Sequence, residues 1–176
     1  MSIPAALTAL LSLGPAYGLQ LHSELGTRLT HRANTNVGQI YSTLDRLVRD
    51  NLVVRRGETE DGLPLYALTN EGKTSVTQWL SGDWVSGSTS WPDVLDLLQL
   101  GATLPGFDPE PTCARVELEF AESPAEPNSL GDRASAHFAA AVRAVISDIR
   151  AARSTNALPQ SALATQRPTR GRRPAQ

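Results

Sequence analysis

Apolar side chains recur at helical intervals three times within the first fifty positions, and then the pattern changes. Ile3, Leu7, Leu10 and Leu11 share one helical face, with Ser2 placed to cap and Pro4 acceptable in the first turn. Gly14-Pro15 ends that segment. Leu21, Leu25 and Leu29 repeat at i, i+4, i+8 and predict a second helix over 17–29. Gly18 and Gly26 each cost that helix about 1 kcal/mol relative to Ala, which points to close packing against a neighbour. After a polar link over 31–35, Asn36 followed three residues later by Gln39 carries a helix-start signal. Ile40, Leu44, Leu47 and Val48 then gather on one face of a third helix over 36–50, while Gln39, Ser42, Thr43, Arg46 and Arg49 fall on others. Asn51 suits the left-handed residue that closes a helix.

From Leu52 the period shortens. The β-branched run 52–56 predicts a strand, 57–62 a turn ending in the hairpin-favouring pair Asp61-Gly62, and 65–68 the returning strand. Thr69 caps a fourth helix with an apolar patch of Val76, Trp79 and Leu80, ended at Ser81-Gly82. The predicted fold is mainly α with a small β-hairpin wing, a winged helix-turn-helix unit over 1–82. Beyond it the apolar positions of 91–104 predict a helix buried on more than one side. Residues 113–121 fit a helix or a strand, because Val116, Leu118 and Phe120 alternate; 122–132 reads as a loop. In a long helix over 133–153, Phe138, Val142, Val145 and Ile149 form a seam spaced 4, 3, 4, continued by Ala152. Standing alone that helix leaves its seam wet, so the matching helix of a second copy is expected to cover it. Residues 83–153 are therefore expected to be a C-terminal helical dimerisation element, and 154–176 a disordered basic tail.

Charge sharpens the picture. Residues 1–80 carry seven basic groups and seven acidic ones, 81–152 is acidic, and 153–176 holds five arginines and no acid. That asymmetry hints at nucleic acid. The one cysteine, Cys113, allows no intrachain disulfide, which fits a reducing cytoplasm. The apolar run over 3–13 follows no basic residue, so export is not expected, and no segment has the roughly 20 apolar residues that span a bilayer.

The chemistry of catalysis is missing from the pattern. His22, His31 and His137 are scattered, Cys113 has no metal-ligand spacing around it, and neither a phosphate loop nor a nucleophile elbow occurs. No enzyme, metal or cofactor is expected. The third helix does carry groove chemistry: Asn and Gln can read adenine, Arg guanine, and hydroxyls either. Candidate base contacts are Asn36, Gln39, Ser42, Thr43 and Arg46; candidate backbone contacts are Tyr41, Arg49, Arg55, Arg56 and Lys73. Gly38 leaves room for a phosphate or base edge, or equally for a packed helix. The Tyr41 phenol can donate to a phosphate, or its ring can fill the space between helices. Asp45 and Asp50 read as solvated charges or partners of Arg49 and Arg46.

Three segments carry a family resemblance: GPAYG at 14–18, GQIYSTLDRLVRDNLV at 38–53 and LYALTNEG at 65–72. In this order and spacing the chain over 3–80 resembles the PadR family of transcriptional regulators. The resemblance implies a repressor that binds double-stranded DNA, with the homodimer expected from the seam of the long helix, and it favours a DNA-side contact for Tyr41. Two departures stand out. Where the family's returning wing strand is usually basic, this chain has Leu63, Pro64 and Leu65; where the helix exit is usually Gly, it has Asn51. In part of the family, aromatic residues near the dimer interface line a pocket for flat apolar ligands, which makes Trp84 and Trp91 candidates for a small aromatic ligand, with core packing as the alternative. A different class stays open as well: the near-balanced charge of 1–80 also suits a winged helix that docks a partner protein instead of DNA.

Overall fold

The computed structural model describes residues 2–121, 129–155, 157 and 160–164. Its elements run α1 (Ser2–Leu11), α2 (Gly18–Arg28), a single 3-10 turn (Thr30–Arg32), α3 (Val37–Arg49), β1 (Val53–Glu58), β2 (Pro64–Leu68), α4 (Asn70–Leu80), α5 (Trp91–Thr103), α6 (Glu110–Glu119) and α7 (Leu130–Ser154). This is a winged helix followed by a helical element, as the hydrophobic pattern predicts for the first 80 residues.

Local chemistry sets the boundaries. The Asn36 side chain accepts from the Gly38 N–H at 2.7 Å and starts α3, and Asn51 sits at φ 57° just past its end. Thr69 accepts from the Gly72 N–H at 2.9 Å and starts α4. At Gly72 a Cβ would stand 2.0 Å from the Leu52 carbonyl oxygen, so only glycine lets α4 lie this close to the chain entering β1. β1 and β2 pair antiparallel, Val53 with Leu68 and Arg55 with Tyr66, with a bulge before Glu58.

Residues 113–121, open between helix and strand in the sequence, lie mostly in α6. Cys113, Val116 and Phe120 are buried at helical spacing, whereas Leu118, whose place in the alternation suggested a strand, is 72% exposed. Helix α7 starts at Leu130, three residues earlier than predicted, because Ser129 and Asp132 form a reciprocal capping box. Of the predicted loop, 122–128 lies outside the described residues.

The largest departure concerns the seam of α7. Val142 and Ile149 are buried within the chain itself, together with Ala139 and Ile146, and Phe138 and Val145 pack against the same cluster. Helices α5 and α6 cover this face, with Phe138 against Phe120 at 5.0 Å and edge-on to Trp91 at 5.5 Å. Periodicity correctly marks a buried face, but the cover comes from the same chain, so the four residues need no second copy. Among the described residues a single apolar cluster runs from α1 through the α3 face to α7, continuous across residue 83.

Candidate nucleic-acid interface

The interface is built on α3. Ile40, Thr43, Leu44 and Leu47 are buried at 5% exposure or less and fix the rotation of the helix about its axis. At about 100° per residue, Gly38, Ser42, Asp45 and Arg49 then form the opposite arc, with Gln39 and Arg46 on one flank and Tyr41 on the other. Gly38, Gln39, Ser42, Asp45, Arg46 and Arg49 are all exposed. Among the described residues, and apart from the glycine's chain neighbours and own helix backbone, an added Cβ at Gly38 would meet the Oδ1 of its cap Asn36 at 3.1 Å, so no other element packs there and the face is open. The Ser42 hydroxyl rests on the Gln39 carbonyl at 3.1 Å and is exposed.

Four of the predicted roles change. Thr43 is 5% exposed and faces the core, so it cannot reach a base edge; it stands three residues after Ile40 and four before Leu47, a spacing that marks it as inward. Tyr41 takes the packing role. Its ring lies where a Gly18 Cβ would be 2.6 Å from Cε1, so the glycine is what lets α2 and α3 approach. Burial first, then the nearby Tyr66 and Tyr17, raises the Tyr41 phenol above its ordinary value, which keeps it protonated. Arg55 is engaged by Asp45 of α3 at 2.7 Å and lies over the Tyr66 ring at 5.8 Å. This exposed pair engages a wing cation with an α3 anion, so that Asp45, read from the sequence as a solvated charge or a partner of Arg49, meets Arg55 instead. Arg56 and Lys73 share a groove of about 380 Å³ with Ala67 and the turn after α1, on the sheet face away from Arg55.

The tryptophans divide as well. Trp91 packs into the core against Phe138. Trp84 stacks on Trp79 of α4, with centroids 6.3 Å apart and planes 12° from parallel, and its indole N–H donates to the Trp79 carbonyl at 2.7 Å. The stack borders a groove of about 470 Å³ between α1, α3 and α4 whose lining includes Arg46, Leu47 and Asp50. Nothing in the hydrophobic pattern distinguishes Trp84 from Trp91; the pairing with Trp79 follows from the turn at Gly82, where φ is 77°.

Sequence reasoning missed the support behind the helix-turn-helix. Asp96 of α5 is completely buried and accepts from the His31 ring at 2.7 Å and from Arg32 at 3.0 Å and 3.2 Å. It thus ties the turn between α2 and α3 to the C-terminal helices. An acid on the apolar side of a helix is the available signal: α5 begins WPDVLDLLQL, and of its two aspartates Asp96 falls among the buried positions Val94, Leu97 and Leu100.

A short helix-turn-helix with an exposed, capped second helix, followed by a β-hairpin, defines a winged helix-turn-helix unit. Residues 7–78 match the family model described as Transcriptional regulator PadR-like family, and over that unit the chain is similar to this family. Members of the family are transcriptional regulators that bind DNA. No curated protein matches the chain. Among the described residues, no helix is long and apolar enough to cross a membrane.

Proposed function

We propose that this chain is a sequence-specific DNA-binding repressor that works as a homodimer, each copy placing α3 in the major groove. The supporting observation is the arc of Gly38, Gln39, Ser42, Arg46 and Arg49, exposed on a helix whose other face is fully buried. Gln39, Ser42 and Arg46 read bases, Arg49 holds a phosphate, and the glycine lets the backbone come close. The homodimer rests on the two half-sites that paired recognition helices read one helical turn apart, and not on the α7 seam. The test is selection of bound fragments from genomic DNA, followed by titration of the recovered site at several salt concentrations. A recurrent two-fold motif and an affinity that falls steeply with salt are expected. Binding to a protein partner without salt-dependent DNA binding overturns this reading in favour of a scaffold. Sedimentation of the free protein reads its oligomeric state.

The stacked Trp79–Trp84 pair supports a ligand-responsive form of the same function. A flat aromatic compound seated in the groove beside that stack meets Arg46, a base-reading side chain, and so competes with the operator. Such a compound should quench tryptophan emission and weaken DNA binding with one common affinity, because coupling between two sites is reciprocal. A broad aromatic panel that changes neither signal removes the ligand.

A further inference from the structure

Much of the positive charge of the winged helix is already engaged. Of its seven basic side chains, Arg28 pairs with Glu24, Arg32 with Asp96 and Arg55 with Asp45. Arg28 also donates to the Ser161 and Ala162 carbonyls at 2.7 Å and 3.3 Å, and Glu24 accepts the Ala164 N–H at 2.6 Å, which lays 160–164 along α2. Those five residues fall in the stretch expected to be disordered and correct that expectation; 165–176 lies outside the described residues. Arg46 and Arg49 serve the α3 arc. That leaves Arg56 and Lys73, both exposed and neither paired with an acid among the described residues.

Three elements bring these two cations to one groove. Arg56 comes from β1, on the sheet face away from Arg55 and so away from Asp45 of α3. Lys73 comes from the first turn of α4, which lies against the chain entering β1 because Gly72 fits beside the Leu52 carbonyl. The third element is the turn after α1. Ala16 pins it to the outer edge of β2 through two hydrogen bonds with the Tyr66 backbone, at 3.0 Å and 2.9 Å. The groove between them holds about 380 Å³, within the range of small-molecule sites. Leu11, Pro15, Leu68 and Val76 are its apolar walls.

The lining decides the chemistry of an occupant. The Ser12 hydroxyl donates to the Ala9 carbonyl at 2.6 Å and the Thr77 hydroxyl to the Lys73 carbonyl at 3.2 Å, so both protons are committed to their own helices. The Leu13 and Gly14 N–H groups are likewise spent on α1 carbonyls. The donors left are the Arg56 guanidinium and the Lys73 ammonium. Among the described residues no acid lines the groove, so it offers partners to an anion and none to a cation. No aromatic ring lines it either, unlike the groove beside Trp79 and Trp84, so its walls suit a flexible aliphatic body and give a flat ring nothing to stack on. A guanidinium fork takes a carboxylate through two parallel hydrogen bonds, and an ammonium adds a point charge. We propose that this groove binds a medium-chain aliphatic carboxylate, its head between Arg56 and Lys73 and its chain along Leu11, Pro15, Leu68 and Val76. The site uses neither the α3 arc nor its flanks and stands apart from the DNA-binding reading.

The test uses the full chain without DNA, with sodium octanoate as the probe and amide chemical shifts in nuclear magnetic resonance as the readout. Saturable shifts are expected at Ala67, Leu68, Lys73 and Thr77. Three comparators dissect the ligand: octan-1-ol keeps the chain without the charge, octylammonium reverses the charge, and acetate keeps the head alone. Each should bind roughly tenfold more weakly than octanoate or worse, because a charge-assisted contact and a buried chain each contribute at least that factor. Arg56→Gln combined with Lys73→Gln removes both head contacts and should weaken octanoate by about a hundredfold. Thr77→Phe fills the groove with both cations in place and should abolish saturation. All three positions are exposed, so the melting temperatures should stay at the wild-type value. Unchanged octanoate affinity in the double variant, or equal affinity for any comparator, overturns the proposal. Absence of saturation at millimolar octanoate overturns it too, as do shifts confined to the Trp79 and Trp84 indoles. Tighter binding of octyl phosphate than of octanoate assigns the head to a phosphate and overturns the carboxylate. Every one of these failures leaves the α3 reading standing, because that reading is tested on DNA.

Discussion

On α3, one residue's rotation decides between holding the fold and reading DNA. Thr43 and Arg46 are three positions apart, yet Thr43 is buried and Arg46 lies exposed on the flank of the open arc. Arg46→Ala should therefore cost about 1–3 kcal/mol per half-site and relax preference at one base position, because a bidentate contact to guanine is lost. Thr43→Val should leave the preferred sequence unchanged, with any effect confined to the melting temperature. Comparing the bound sequences of the two variants with wild type checks both statements. Equal loss on all sequences for Arg46→Ala makes that side chain a phosphate clamp and moves base reading to Gln39 and Ser42. The inward position of Thr43 was legible from its spacing to Ile40 and Leu47. The engagement of Arg55 by Asp45 was not, because it joins positions ten apart across a turn whose geometry the side chains themselves do not announce.

At the scale of elements, short-range signals carry well and long-range pairing carries poorly. The caps at Asn36 and Thr69, the left-handed Asn51 and the hairpin are local, and each is where its residue types place it. The α7 seam is different. A heptad-like spacing says that one face is buried and is silent about whose side chains bury it; here α5 and α6 do so. The consequence is testable. Val142 is fully buried in the chain, so Val142→Asp places an unpaired charge in the core and should cost about 3–5 kcal/mol. Loss of the cooperative melt is expected. A well-folded chain whose sedimentation alone changes would return the seam to an interface between copies. The α6–α7 pair also carries ion pairs at its outer edge: Arg150 with Glu110 at 2.7 Å and with Glu117 at 2.9 Å, and Arg153 with Asp108. Their hydrogen bonds hold the Glu110 and Asp108 carboxyls below their ordinary values. A lowered carboxylate value adds stability above the usual carboxylate range, and that stability is lost as pH falls through the lowered folded values. The pairs are exposed, so the effect is small and screened. Melting temperature should fall on acidification through that window, less steeply at high salt, and the Arg150→Met variant should show a shallower fall than wild type.

Across the whole molecule, the winged helix and the C-terminal helices behave as one body, and that property was the least legible. The charge balance and the family-like motifs end near residue 80, which suggests a separable unit. The structure joins the two parts in three ways. Helix α5 packs on α1, whose Ala6, Leu7, Ala9 and Leu10 are completely buried. Asp96 holds His31 and Arg32 in the turn before α3. Residues 160–164 and the Thr103 carbonyl complete the Arg28–Glu24 pair on α2, Arg28 donating to the Ser161 carbonyl at 2.7 Å and Glu24 accepting the Ala164 N–H at 2.6 Å. A fragment of residues 1–82 would lose all three: α1 would expose an apolar face, and Arg28, Glu24, His31 and Arg32 would each lose a partner. Burial of one large apolar side chain is worth roughly 1.5–3 kcal/mol, and a folded domain is stable by only about 5–15 kcal/mol. The fragment is therefore expected to show no cooperative melt and to bind the selected DNA site far more weakly than the full chain, while the full chain melts in one transition by both near- and far-ultraviolet circular dichroism. If the fragment melts cooperatively at the full chain's temperature and binds the site with the same affinity, the α1–α5 contact and the Asp96 node contribute nothing to the interface. The C-terminal helices would then be an appendage to a self-sufficient DNA-binding unit.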